Sequence, residues 1–115
     1  SHFKKRVNIV FGCGGNRDKG KRANMAKIAN KLCKKIIVTD DNPRDENPKN
    51  ITKQIYKFID KGLIINNRKL AIKKAIQGIG LNEVLLVAGK GHENYQIIKG
   101  KKFHFSDYEE IIKNL

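Results

Sequence analysis

Apolar residues along the chain alternate between two rhythms, short unbroken runs and spaced stripes, and the alternation continues almost to the C-terminus. Val7 to Phe11 is a run short enough for one strand, and it leads directly into Gly12-Cys13-Gly14-Gly15. Met25, Ile28, Ala29, Leu32 and Cys33 then recur at the i, i+3, i+4, i+7, i+8 spacing of one buried helix face. Ile36-Ile37-Val38 is a β-branched run and predicts a second strand.

Asn47-Pro48 places a side-chain acceptor before a proline at the first helical position, where the missing N–H costs nothing. The stripe Ile51, Ile55, Phe58 and Ile59 follows, and Gly62 is placed to end that helix in a left-handed conformation. Leu63-Ile64-Ile65 predicts a third strand. Asn67 can cap a helix facing inward through Ile72, Ala75, Ile76 and Ile79. Val84 to Ala88 is apolar throughout, as a strand buried on both faces of a parallel sheet would be. Beyond it, Gln96 to Ile98 and Phe103 to Phe105 flank Lys99-Gly100-Lys101 as a hairpin, and Ser106 with Glu109 makes a capping box for a last helix.

Parallel neighbours need crossover connections, and crossovers are right-handed, so this order predicts an α/β fold: a Rossmann-like, mainly parallel sheet flanked by helices, with a C-terminal β-hairpin. With 115 residues, 39% of them hydrophobic, one domain over 1–115 is expected. No stretch reaches the roughly 18 apolar residues of a membrane span, and the N-terminus lacks the pattern of a secretory signal, so a soluble cytoplasmic protein with no membrane partner is expected. Cys13 and Cys33 are too few for a disulfide framework and too far apart for a Cys-x-x-Cys pair, and His2, His92 and His104 show no ligand spacing with them, so no metal site is expected. The net charge of +14 raises nucleic-acid binding. The charge is mostly lysine on polar helix faces, without interleaved aromatic stacking residues, which argues for solvated surface and no nucleic-acid partner.

Ligands of such sheets bind outside the carboxyl ends of the strands, which directs attention to the loops after the first, second and fourth strands. In the first, Gly15 to Lys21 satisfies GxxxxGK, but Arg22 stands where a phosphate-binding loop needs a magnesium-binding hydroxyl. The dinucleotide fingerprint fails too, with Arg17 at its third glycine. What remains is either a tight turn or an anion site made of open backbone N–H groups and Arg17. The second loop sets Asp41, Asn42 and Arg44 around the stiffening Pro43. This offers an ammonium acceptor, an amide and a carboxylate fork suited to the head of an amino acid, or it is ordinary turn chemistry. In the third loop Gly89 and Gly91 permit close backbone approach, Glu93 adds an ammonium acceptor, and His92 is a proton carrier or a structural turn residue.

Three long motifs, residues 10–22, Thr39-Asp40-Asp41-Asn42-Pro43-Arg44 and residues 88–97, stand in this order. Together they closely resemble the C-terminal domain of the Mur ligases, in particular the members that add diaminopimelate. The resemblance covers nearly the whole chain. It implies a larger cytoplasmic ligase of peptidoglycan synthesis, in which ATP phosphorylates the carboxylate of UDP-N-acetylmuramoyl-dipeptide and an incoming amino group attacks the acyl phosphate. It also implies that the UDP-binding domain and the central ATPase domain, which holds ATP and Mg2+, lie upstream of this chain. The fragment alone would then have no catalytic residue, no cofactor and no turnover. Arg17, Asp41, Asn42, Arg44, Gly89 and Glu93 fall on the family's positions for meso-diaminopimelate. Asn16 departs from the aspartate usual in the first motif, and lysine-adding relatives lack arginine at the place of Arg44. A stand-alone nucleotide-binding module and a basic RNA-binding α/β domain are the competing readings. ATP-induced stabilisation would mark the first and steeply salt-dependent RNA binding the second.

Overall fold

A computed structural model of the chain describes residues 7–15, 19–88, 95–98 and 101–115. The elements run β1 (Val7–Phe11), α1 (Lys19–Leu32), β2 (Lys35–Val38), α2 (Pro48–Tyr56), β3 (Leu63–Ile64), α3 (Arg68–Gln77), β4 (Val84–Ala88), β5 (Tyr95–Ile98), β6 (Lys101–His104) and α4 (Asp107–Lys113). The first four strands form one parallel sheet in the order β3-β2-β1-β4. β5 and β6 pair antiparallel as the expected hairpin, with Tyr95 opposite His104.

Alternation along the central strands sends successive side chains to opposite faces, and each face has its own helices. Ile9, Phe11, Ile36 and Val38 pack on one side with Ala26, Ala29 and Cys33 of α1 and with Ile51, Ile55 and Ile59. Val10 and Ile37 pack on the other with Ala71 and Ala75 of α3. Winding proceeds outward from β1 through β2 to β3, then α3 returns the chain past β1 to β4. The direction therefore reverses beside β1, and the crevice at the carboxyl end of that reversal is where an open α/β sheet receives ligands.

The caps form as the sequence predicts: Asn47 accepts from the Lys49 N–H at 2.9 Å, Asn67 from Leu70 at 3.2 Å, and Ser106 from Glu109 at 3.3 Å. Four expectations are corrected. In α1, Ile28 and Leu32 are exposed, and the fully buried face runs Arg22, Ala26, Ala29, Cys33. Its spacing is still helical, but it is headed by a charged residue that a search for apolar stripes passes over. Phe58 and Ile79 likewise lie at the rim of their stripes and are exposed, Phe58 beneath the ammonium of Lys27 at 5.2 Å from the ring centroid. β4 is not buried on both faces: it is an edge of the sheet, with Val84 and Leu86 exposed. Gly62 does not cap α2, which ends at Tyr56 with Lys57 in a right-handed conformation. Gly62 has φ +135°, and a Cβ there would lie 2.6 Å from the Ile36 carbonyl oxygen, so its glycine serves the entry into β3.

Candidate functional site

One row of residues across the sheet fixes where the loops leave it. Phe11 is in register with Val38 on one side and Ala88 on the other. Adjacent strands lie about 4.8 Å apart, so the loops after β1, β2 and β4 all begin within about 10 Å of one another. Asp41, Asn42 and Arg44 belong to the second of these loops. Arg17, Gly89, His92 and Glu93 lie outside the described residues, although their loops leave from Phe11 and from Ala88.

The first and second loops press backbone against backbone. The Gly15 N–H donates to the Asn42 carbonyl at 2.7 Å. A Cβ on Gly12 would stand 2.2 Å from the Thr39 carbonyl oxygen, and one on Gly15 would stand 1.8 Å from that of Pro43. Both glycines are thus demanded by the neighbouring loop. The Gly15 donor is therefore committed to the second loop and is not one of the open N–H groups expected of the first.

Asp41, Asn42 and Pro43 are buried against this contact, while Arg44 is half-buried. Arg44 has φ +53°, in the left-handed region that bulky residues seldom occupy. Its Nη1 donates to the Gly15 carbonyl at 3.1 Å and to that of Asn42 at 3.2 Å. The strained turn is thus held on the first loop by the side chain that it displays.

Two further arginines, neither of them expected among the site residues, lock the loops together. Arg22 is 1% exposed. Its guanidinium donates to Gln54 at 2.8 Å, to Glu46 at 2.8 Å and to the Gly14 carbonyl at 3.3 Å, joining the first loop, the second loop and α2. The sequence marked this position only as a missing hydroxyl. Arg68 is also 1% exposed and joins the second loop, the end of β4 and α4. The signal available beforehand was its place one residue after a helix cap.

The titratable groups nearby are shaped by enclosure. Burial raises the Asp40 carboxyl, partly countered by the hydrogen bond from Asn66 at 2.8 Å and by the charge of Arg68. Burial likewise raises the Cys13 thiol, whose sulfur rests 3.8 Å from that of Met25. A thiol so held is a core packing group rather than a nucleophile. At the opposite pole, a cleft of 410 Å3 lies among the amino ends of the strands, floored by Ile9, Ile36, Leu63 and Leu85, and shares no residue with these loops. No helix among the described residues is long and apolar enough to cross a membrane.

A parallel sheet wound from both faces, with three loops leaving one carboxyl rim and buried arginines tying the described parts of that rim together, defines an α/β, Rossmann-like domain whose ligand crevice lies at that rim. The family described as "Mur ligase, glutamate ligase domain" matches residues 1–91, and the chain belongs to that family. UDP-N-acetylmuramoyl-L-alanyl-D-glutamate–2,6-diaminopimelate ligase of Rickettsia felis is 53% identical over 110 residues, spanning 94% of this chain and 21% of that protein. The ligase of the same name from Buchnera aphidicola is 50% identical over 115 residues, spanning 97% of this chain and 22% of that protein. A solved structure of a ligase of this name superposes with a TM-score of 0.88 at 38% identity, covering 95% of this chain and 23% of that one. The chain therefore spans less than a quarter of the length of these relatives.

Proposed function

We propose that this chain is the C-terminal, amino-acid-binding domain of an ATP-dependent, amide-bond-forming ligase of peptidoglycan synthesis. The complete cytoplasmic enzyme joins meso-2,6-diaminopimelate to UDP-N-acetylmuramoyl-L-alanyl-D-glutamate. The observation that carries this reading is the convergence at one rim of Asp41, Asn42 and Arg44 with the departure points of the loops that hold Arg17, Gly89 and Glu93. Diaminopimelate carries two carboxylates and two amines, and these positions offer two guanidinium forks and two carboxylate acceptors. Both side-chain bonds of Arg44 among the described residues leave from Nη1, so its Nε–Nη2 edge is suited to a bidentate carboxylate. Lysine lacks the second carboxylate. Binding it would leave that edge unpaired in a closed site, a penalty that discriminates by orders of magnitude.

ATP and Mg2+ belong, in this reading, to domains upstream of the chain. The described ends of the GxxxxGK segment do not suit a phosphate cradle: the Gly15 N–H is spent on Asn42, Pro43 fills the space beside it, and Arg22 is buried where a hydroxyl is needed. This domain's own work is to bind and orient the incoming amine for attack on an acyl phosphate formed elsewhere. Positioning of this kind can supply a large part of a rate enhancement.

In the full-length enzyme, Arg44→Ala is expected to raise KM for diaminopimelate by about 100-fold or more. The constants for ATP and for the UDP-linked precursor should stay nearly unchanged. Unaltered diaminopimelate kinetics would overturn the assignment.

A further inference from the structure

We propose that Arg68 is a positioning residue for the amino-acid site, setting the distance between its two halves; the inference rests on the reading given above. Among the described residues the hydrogen bonds of Arg68 run to Asp40, Ala88 and Asp107. Its Nη1 donates to the Asp40 carbonyl at 3.0 Å, and Asp40 immediately precedes Asp41. Its Nη2 donates to the Ala88 carbonyl at 3.2 Å, and Ala88 immediately precedes Gly89. One planar group thus bonds to the last residue before each half of the site.

β1 lies between β2 and β4, so no strand ladder joins the two loops that Arg68 bridges. The orientation of the guanidinium is set from behind. Asp107, in the first turn of α4, accepts from Nε at 2.7 Å and from Nη2 at 2.8 Å in a bidentate fork. Beside it, Asn66 accepts from the Asp40 N–H and from the Thr39 hydroxyl through its carbonyl and donates its amide to the Asp40 carboxylate. The start of α3 is thereby bonded to the second loop at several points. The Arg68 side chain has no exposure, so water cannot substitute for any of these bonds.

A flexible lysine would keep the charge and lose the planar fork, so one carbonyl or the other would go unheld. Diaminopimelate must be gripped by both loops at once, and a misplacement of about 1 Å between reacting groups can cost about 100-fold. Arg68→Lys in the full-length enzyme is therefore expected to raise KM for diaminopimelate by about 10- to 100-fold. KM for ATP and for the UDP-linked precursor should stay within about twofold, because neither depends on the spacing of these loops in this reading.

A role in folding alone would instead reduce the amount of active enzyme while leaving the diaminopimelate KM of the remainder unchanged, and that result overturns the proposal. So does an equal rise in all three constants. Should Arg68→Lys fail to fold, Asp107→Asn keeps Arg68 and relaxes only its orientation; a smaller rise confined to diaminopimelate supports the proposal, and an unchanged constant defeats it. Arg44→Ala measured alongside separates the two ideas. If Arg44→Ala has no effect, the site itself is misassigned. If Arg44→Ala raises KM and neither variant at the Arg68–Asp107 pair does, only the positioning role fails.

Discussion

The two rims of the sheet hold similar charges and use them differently. At the carboxyl rim, Arg22 and Arg68 are each 1% exposed, and their planar forks bond to backbone carbonyls and carboxylates of separate loops. At the amino rim, Lys34 and Lys35 keep side chains about half exposed while converging on Glu83. A buried guanidinium with all its neighbours ordered acts as a joint between segments. An exposed ammonium beside a carboxylate is screened and mobile, and holds little. The difference teaches that this chain spends its costly buried charge where three loops must keep a fixed geometry.

The widest break in that comparison is expected from Arg22→Met. It would leave Glu46, Gln54 and the Gly14 carbonyl without their shared donor, and unfolding in urea should show a loss of about 3 kcal/mol. Removing the ammonium of Lys34 by substitution to Met should cost less than about 1 kcal/mol in the same assay. Equal losses at the two rims would refute the distinction.

Gly15→Ala comes next, since its Cβ would collide with the Pro43 carbonyl and push the first two loops apart. A loss of about 1–3 kcal/mol is expected. A neutral result would mean that the loop contact yields easily.

The smallest effects concern pH, and they carry opposite signs at the two rims. The hydrogen bond from Lys34, the Gly80 N–H and the Asn8 amide hold Glu83 down to about 2. Its contribution is then complete above its ordinary value of 4.5 and disappears as pH falls toward about 2. Glu83→Gln should be less stable than the parent near neutrality, with the gap closing through that window. Asp40 is raised by burial, so its ionisation costs stability as pH rises through its folded value. Asp40→Asn, which keeps an acceptor for Asn66, should therefore gain relative to the parent on going from acid to neutral pH. Denaturation curves at a series of pH values would reveal both trends, and parallel curves for the two variants would contradict the assigned signs.

Much of this architecture was readable beforehand. The strand runs, the caps at Asn47, Asn67 and Ser106 and the hairpin all depend on neighbours within a few residues, so periodicity and capping chemistry expose them. That Asp41, Asn42 and Arg44 share one short loop shows in the proline and charge clustered there, and the expectation that the loops after β1, β2 and β4 share a rim agrees with the register of Phe11 between Val38 and Ala88. The purpose of Gly12 and Gly15 was not legible, because the atoms that exclude a Cβ belong to a loop more than twenty residues away. The bracing roles of Arg22 and Arg68 were hidden for the same reason. Lysine- and arginine-rich helix starts are usually solvated, and nothing local distinguishes a guanidinium that will be enclosed.

By itself the sequence determined the element order, the α/β class and the chemistry available at the second loop, since these follow from short-range periodicity and from the residue types present. Only the tertiary structure decided that β4 is an edge, that α1 turns Arg22 inward, and that two arginines fasten loops distant along the chain. Burial and long-range hydrogen bonding are properties of which segments meet, and no window of neighbouring residues contains that information.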